Sequence, residues 1–117
     1  MTTRIEYVAE IKTWFDRVNG NSYFSARIYD LKNDLVAVVP FQYGYGTHPD
    51  FVAIRAIQNY EGIHEVANDT FQRTKIITHD YGLKRDCVRW GEEPEYFMGV
   101  VQQEQYVSEG VTMEAIQ

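Results

Sequence analysis

The chain has 117 residues and a formal charge of −6, enough for one domain with a core but too short for two cores and a linker. Hydrophobic residues at 44% and charged residues at 24% exclude a disordered composition, and the chain is expected to fold. No apolar run approaches the roughly 18 residues of a membrane span, and charges at Arg4, Glu6, Glu10 and Lys12 break up the start, so neither a transmembrane helix nor a signal peptide is expected.

In chain order, Ile5, Val8, Ile11, Phe15 and Val18 recur at steps of three and four, which predicts an amphipathic helix over Thr3 to Val18. Thr3 with Glu6 has the capping-box spacing, and Asn19 and Gly20 supply a stop. From Ser22 the period changes to two, with Phe24, Ala26 and Ile28 on one face and Tyr23, Ser25, Arg27 and Tyr29 on the other. That alternation predicts a strand. The turn chemistry of Asp30 to Asp34 and the β-branched run from Leu35 complete a hairpin, whose second strand should end, or lie at an edge, near Pro40.

Thr47, Pro49 and Asp50 then mark a helix start, and Gly62 a stop, so a second helix is expected from about His48 to Tyr60. "FQRTKIITHDYG" reads as a third strand and "CVRW" as a possible fourth. The stretch beyond Gly91 is weakly patterned. This order of helix, β-hairpin, helix and one or two strands predicts an α+β, single-domain, two-layer sandwich over residues 1–117, both helices on one sheet face and 91–117 peripheral or partly ordered. It is similar to the order in double-stranded RNA-binding domains, whose basic patch is missing here.

Charge is distributed unevenly. Residues 1–85 carry ten acids and ten bases, whereas residues 86–117 carry seven acids against Arg89 alone. Nucleic-acid binding needs clustered Lys and Arg, and this layout argues against it. A protein partner with a basic surface is the easier fit, with a solubilising acidic tail as the bland alternative.

Residues able to do chemistry are sparse. His48, His64 and His79 lack the close spacing that lets one element supply two metal ligands. Cys87, the single cysteine, cannot form an internal disulfide. With His79 and Asp80 it makes a conceivable but signature-free nucleophile set. "GYGTHPD" resembles a phosphate-binding turn only weakly, because it lacks both the P-loop ending and the third glycine of a dinucleotide fingerprint. No catalytic, cofactor-binding or metal residues are assigned, and no enzyme activity is expected.

The segments "WFDRVNGNSYFSARIY" and "PFQYGYG", within Trp14 to Gly46, resemble a group of small, mostly uncharacterised proteins encoded by tailed bacteriophages. The resemblance implies a phage origin and the host cytoplasm as the place of action. By analogy with small phage proteins that bind and block a host enzyme, the expected role is that of an accessory protein that binds and inhibits a host protein, such as a restriction or CRISPR enzyme, through an acidic C-terminal surface. The contact residues expected from charge and aromatic character are Glu92, Glu93, Glu95, Glu104, Tyr43 and Tyr45. The alternative is a structural or assembly protein that forms a homo-oligomer near Pro40, or through Trp90 and Phe97.

Overall fold

The computed structural model describes residues 4–63, 69–80 and 82–102. Its centre is a five-stranded mixed sheet: β1 (Tyr7–Asp16), β2 (Asn21–Asp30), β3 (Leu35–Tyr43), β4 (Thr74–His79) and β5 (Val100–Val101). Three helices accompany it, α1 (His48–Glu61), α2 (Asp69–Gln72) and α3 (Lys84–Trp90). The strands lie in the order β4-β1-β2-β3-β5. β1, β2 and β3 form an antiparallel meander, while β4 joins β1 and β5 joins β3 in parallel.

The expected helix–hairpin–helix order is therefore wrong, because the first element is a strand. Tyr7, Ala9 and Ile11 alternate toward α1 and are buried, with Ala9 and Ile11 fully so. The opposite face of β1 holds Val8, Lys12 and Trp14, half-buried under α3 and its surroundings. With apolar residues on both faces, the strand acquires helix-like steps of three and four by coincidence. Its Tyr, Val, Ile, Thr, Trp and Phe are the side chains that suit a pleated surface. Thr3, the expected cap, lies outside the described residues.

The Asn19–Gly20 pair closes a hairpin instead of ending a helix. Asp16 accepts hydrogen bonds from the amides of Val18 and Asn19 and from the Asn19 side chain, and Gly20 has φ of 71°. These donors, the Asn19 side chain foremost, hold the Asp16 carboxyl below its ordinary range. At the next turn Asp30 Oδ1 accepts from the amides of Lys32 and Asp34, and Asn33 takes φ of 68°. The hairpin expected at Asp30 to Asp34 is present.

β3 continues past Pro40 to Tyr43. The β2–β3 register slips between Phe24/Gln42 and Ala26/Val39, inserting an extra residue around Pro40 and Phe41 where a proline needs no ladder partner. The β5 ladder reaches only Ala37 and Val38.

α1 matches the expected helix, with Gly62 as its left-handed C-cap at φ 75°. Thr47 occupies the N-cap position, but its side chain makes no capping bond. Val52, Ala53, Ile54, Ala56 and Ile57 pack on Ala9, Ile11, Phe24, Ala26, Ile28, Ala37 and Val39 to form the core. "CVRW", expected as a strand, belongs to α3. Cys87 meets Ser25 and Lys12, and Trp90 meets Glu10, all from the sheet face opposite α1. The helices thus cover opposite faces, which corrects the two-layer arrangement expected with both on one.

Candidate functional site

Two surface regions gather the residues singled out by charge and aromatic character, and they lie at opposite ends of β3. Tyr43 closes β3 at the end where Trp14, Tyr23 and Phe41 converge. Tyr23 stacks on Phe41 with centroids 5.2 Å apart, and it meets Tyr43 edge-on at 5.9 Å. Tyr43 in turn meets Tyr45 at 5.9 Å, and Lys84 lies 5.1 Å over the Trp14 ring. These rings mainly face one another, and only Tyr45 among them is strongly exposed, at 58%. Tyr29, on the same face as Tyr23, sits near the other end of β2 opposite Leu35.

The other end of β3 forms an open groove of about 620 Å³. Its walls are the Asp30 to Asp34 turn, Leu35 and Val36 at the start of β3, Tyr60 near the end of α1, and the strap Pro94 to Gly99. Several placements follow from backbone chemistry. The carbonyls of Trp90 and Glu92 accept from Arg27 Nε at 2.9 Å and Nη2 at 3.2 Å, so a β2 side chain satisfies the end of α3, where free carbonyls accumulate. Gly91 then passes against β3 so closely that a Cβ there would lie 2.5 Å from the Phe41 amide nitrogen. Gly99 is just as confined, since a Cβ would collide with the Val36 carbonyl and the Phe97 ring. Together these contacts fix the path of the strap and bring Glu95 to the groove.

The groove is lined by both acidic and aromatic side chains. Asp30, Asp34 and Glu95 line it, and none of the three has a salt-bridge partner among the described residues. Asp30 Oδ1 is committed to the turn amides. Tyr60, Tyr96 and Met98 are exposed at 44%, 85% and 95%, with Phe97 half-buried between them. Isolated exposed apolar residues are ordinary, but contiguous ones with a polar rim mark an interaction surface.

Of the expected contact residues, only Glu95 lines this groove. Glu92 and Glu93 are exposed just before it, and Glu104 lies outside the described residues. Tyr43 and Tyr45 are displaced by the length of β3, about 26 Å at the usual rise of an extended strand. In the sequence, Asp30 and Asp34 carry the residue type of ordinary turn formers and Tyr60 stands at the expected end of a helix, so none of the three is marked as a contact residue. Of the residues expected at an oligomer contact, Pro40 lies against Gly91, the Trp90 indole donates to the Glu10 carbonyl at 2.8 Å, and Phe97 lines the groove.

His79, Asp80 and Cys87 do border one cleft of about 310 Å³. The Cys87 Sγ–H donates to the Lys12 carbonyl at 3.2 Å, and burial pushes its thiol above the ordinary value. Both effects disfavour a thiolate nucleophile. His79 instead has Nε2 at 3.8 Å from Glu10. At the start of α1, Asp50 and Asp80 share a second cleft of about 270 Å³ with Thr13, Ser22 and Thr78. Burial first, and the Asp80 charge second, raise the Asp50 carboxyl. Among the described residues no three His, Cys, Asp or Glu side chains converge to hold a metal ion, and no helix is long and apolar enough to cross a membrane.

Comparisons with family models, curated proteins and solved structures give no match. The functional reading therefore rests on this geometry.

Proposed function

We propose that the chain is a non-enzymatic accessory protein of phage origin that binds a host protein at a basic surface, using the groove between the Asp30 to Asp34 turn and the strap Pro94 to Gly99. The observation that carries this reading is the meeting, in one groove, of three carboxylates that have no salt-bridge partner among the described residues with exposed aromatic side chains. Opposite charge steers encounter and sets register, while aromatic residues supply contact area at low entropic cost. A nucleic acid fits poorly, because its phosphates would face Asp30, Asp34 and Glu95. The phage origin and the inhibition of a host defence enzyme rest on the resemblance of the Trp14 to Gly46 region.

The test uses the tagged full-length chain and a triple variant, Asp30→Asn, Asp34→Asn and Glu95→Gln, each challenged with bacterial lysate at low and high salt. The reading expects a protein retained by the unaltered chain at low salt, released at high salt and not retained by the variant. Equal retention by both forms contradicts it. Circular dichroism of both forms separates lost binding from lost folding.

A further inference from the structure

We infer that the unit recognised in the groove is an arginine side chain presented by a basic protein segment; this rests on the reading just given and makes it specific. A groove that selected only for positive charge would need the carboxylates alone. Here Asp34 and Glu95 stand beside Tyr96, whose ring is 85% exposed, and Tyr60, at 44%. A guanidinium is planar. It can donate two parallel hydrogen bonds to one carboxylate while its face lies on an aromatic ring. A lysine ammonium is a compact, strongly hydrated point charge that gains less from both contacts.

The apolar floor serves the rest of the side chain. Leu35 and Phe97, both half-buried, offer apolar surface along which a three-carbon stem can lie while its charged head reaches a carboxylate. Asp30 contributes field more than direct contact, because Oδ1 already accepts two turn amides. The same chain carries Lys84, Arg85 and Arg89 on α3, so a second copy is the competing occupant.

The experiment uses the full-length chain and two fluorescent peptides of equal length and charge, one alternating glycine with arginine and one glycine with lysine. Anisotropy titrations are run at low and high salt on the unaltered chain, on Tyr96→Ala, and on the Asp34→Asn, Glu95→Gln double variant. Asp34, Glu95 and Tyr96 are all exposed, so the variants are expected to fold. The proposal expects the arginine peptide to bind about fivefold more tightly than the lysine peptide, as one cation–π contact implies. Tyr96→Ala should remove that preference, and the double variant should weaken both peptides by about tenfold at low salt.

Equal affinity for the two peptides overturns the arginine assignment and leaves the acidic-groove reading intact. Absence of binding by either peptide also overturns it, and the lysate comparison with the triple variant then decides the broader reading by itself. Sedimentation of the unaltered chain completes the test. Salt-sensitive self-association that is abolished by the double variant would give the groove to a second copy and refute the proposal.

Discussion

Tyr7 donates its hydroxyl proton to Glu61 Oε2 at 2.7 Å, so the first residue of β1 is bonded to the last residue of α1. Arg73, just before β4, clamps the same carboxylate through Nη1 and Nη2, each at 2.9 Å, and reaches Glu6 at 3.1 Å. Arg73 and Glu61 side chains are only 12% and 19% exposed, which makes this pair a structural joint between helix and sheet edge. Arg73→Ala takes the paired guanidinium from a largely buried Glu61 carboxylate and leaves it the Tyr7 hydroxyl as donor. It should cost about 2 to 4 kcal/mol in urea denaturation, toward the scale of a broken buried pair.

The same joint sets an acid limb. Hydrogen bonding from Arg73 holds the Glu61 carboxyl below its ordinary 4.5. A depressed carboxylate contributes its full stabilisation above the ordinary value and loses it as pH falls through the lowered one. Stability of the unaltered chain should therefore drop below about pH 4.5, the ordinary value, and Glu61→Gln should flatten that drop. Denaturation midpoints across acid pH check it.

Asp50 should act with the opposite sign. Its carboxyl is raised, first by burial and then by the Asp80 charge. Its contribution is thus full below the ordinary aspartate value and lost as pH rises through the elevated one. Asp50→Asn is expected to gain stability at neutral pH relative to the unaltered chain, with the gain vanishing in acid. The difference between the two denaturation curves is the readout.

Gly91→Ala is expected to cost about 1 to 3 kcal/mol, the usual scale of overpacking, since the intruding Cβ would meet the Phe41 nitrogen at 2.5 Å and backbone cannot swing aside. Because Gly91 also seats the strap, peptide binding should weaken together with stability. Glu93→Gln, on an exposed position just before the groove, should change stability little, so the pair of variants separates the two effects.

Cys87 is 1% exposed, with its thiol raised by burial. A thiol-reactive dye should label it far more slowly in the native chain than in denaturant. Cys87→Ala should retain binding. Rapid native labelling would place the thiol in the open cleft beside His79 and reopen a nucleophilic role.

The elements legible in the sequence are those whose signal is local. Alternation from Ser22, the Asp30 to Asp34 turn and the Gly62 stop each depend on near neighbours, and β2, β3 and α1 follow from them. β1 was illegible because what covers its second face is α3, some seventy residues away, and burial on both sides erases the period of two. α3 was illegible because seven residues offer only Cys87 and Trp90 as an inward side. At the groove, charge pointed to Glu95, whereas Asp30 and Asp34 share their residue type with ordinary turn formers. The strap held by Arg27, Gly91 and Gly99, and continued by β5 along β3, brings Glu95 beside them.

The most direct test of the acidic groove is an amide chemical-shift titration of the isotopically labelled full-length chain with the arginine peptide. The account predicts perturbations concentrated at Asp30 to Val36, Tyr60 and Glu95 to Gly99, reduced in the Asp34→Asn, Glu95→Gln variant. Perturbations centred on Tyr43 to Gly46, or spread evenly over the acidic residues, would contradict it.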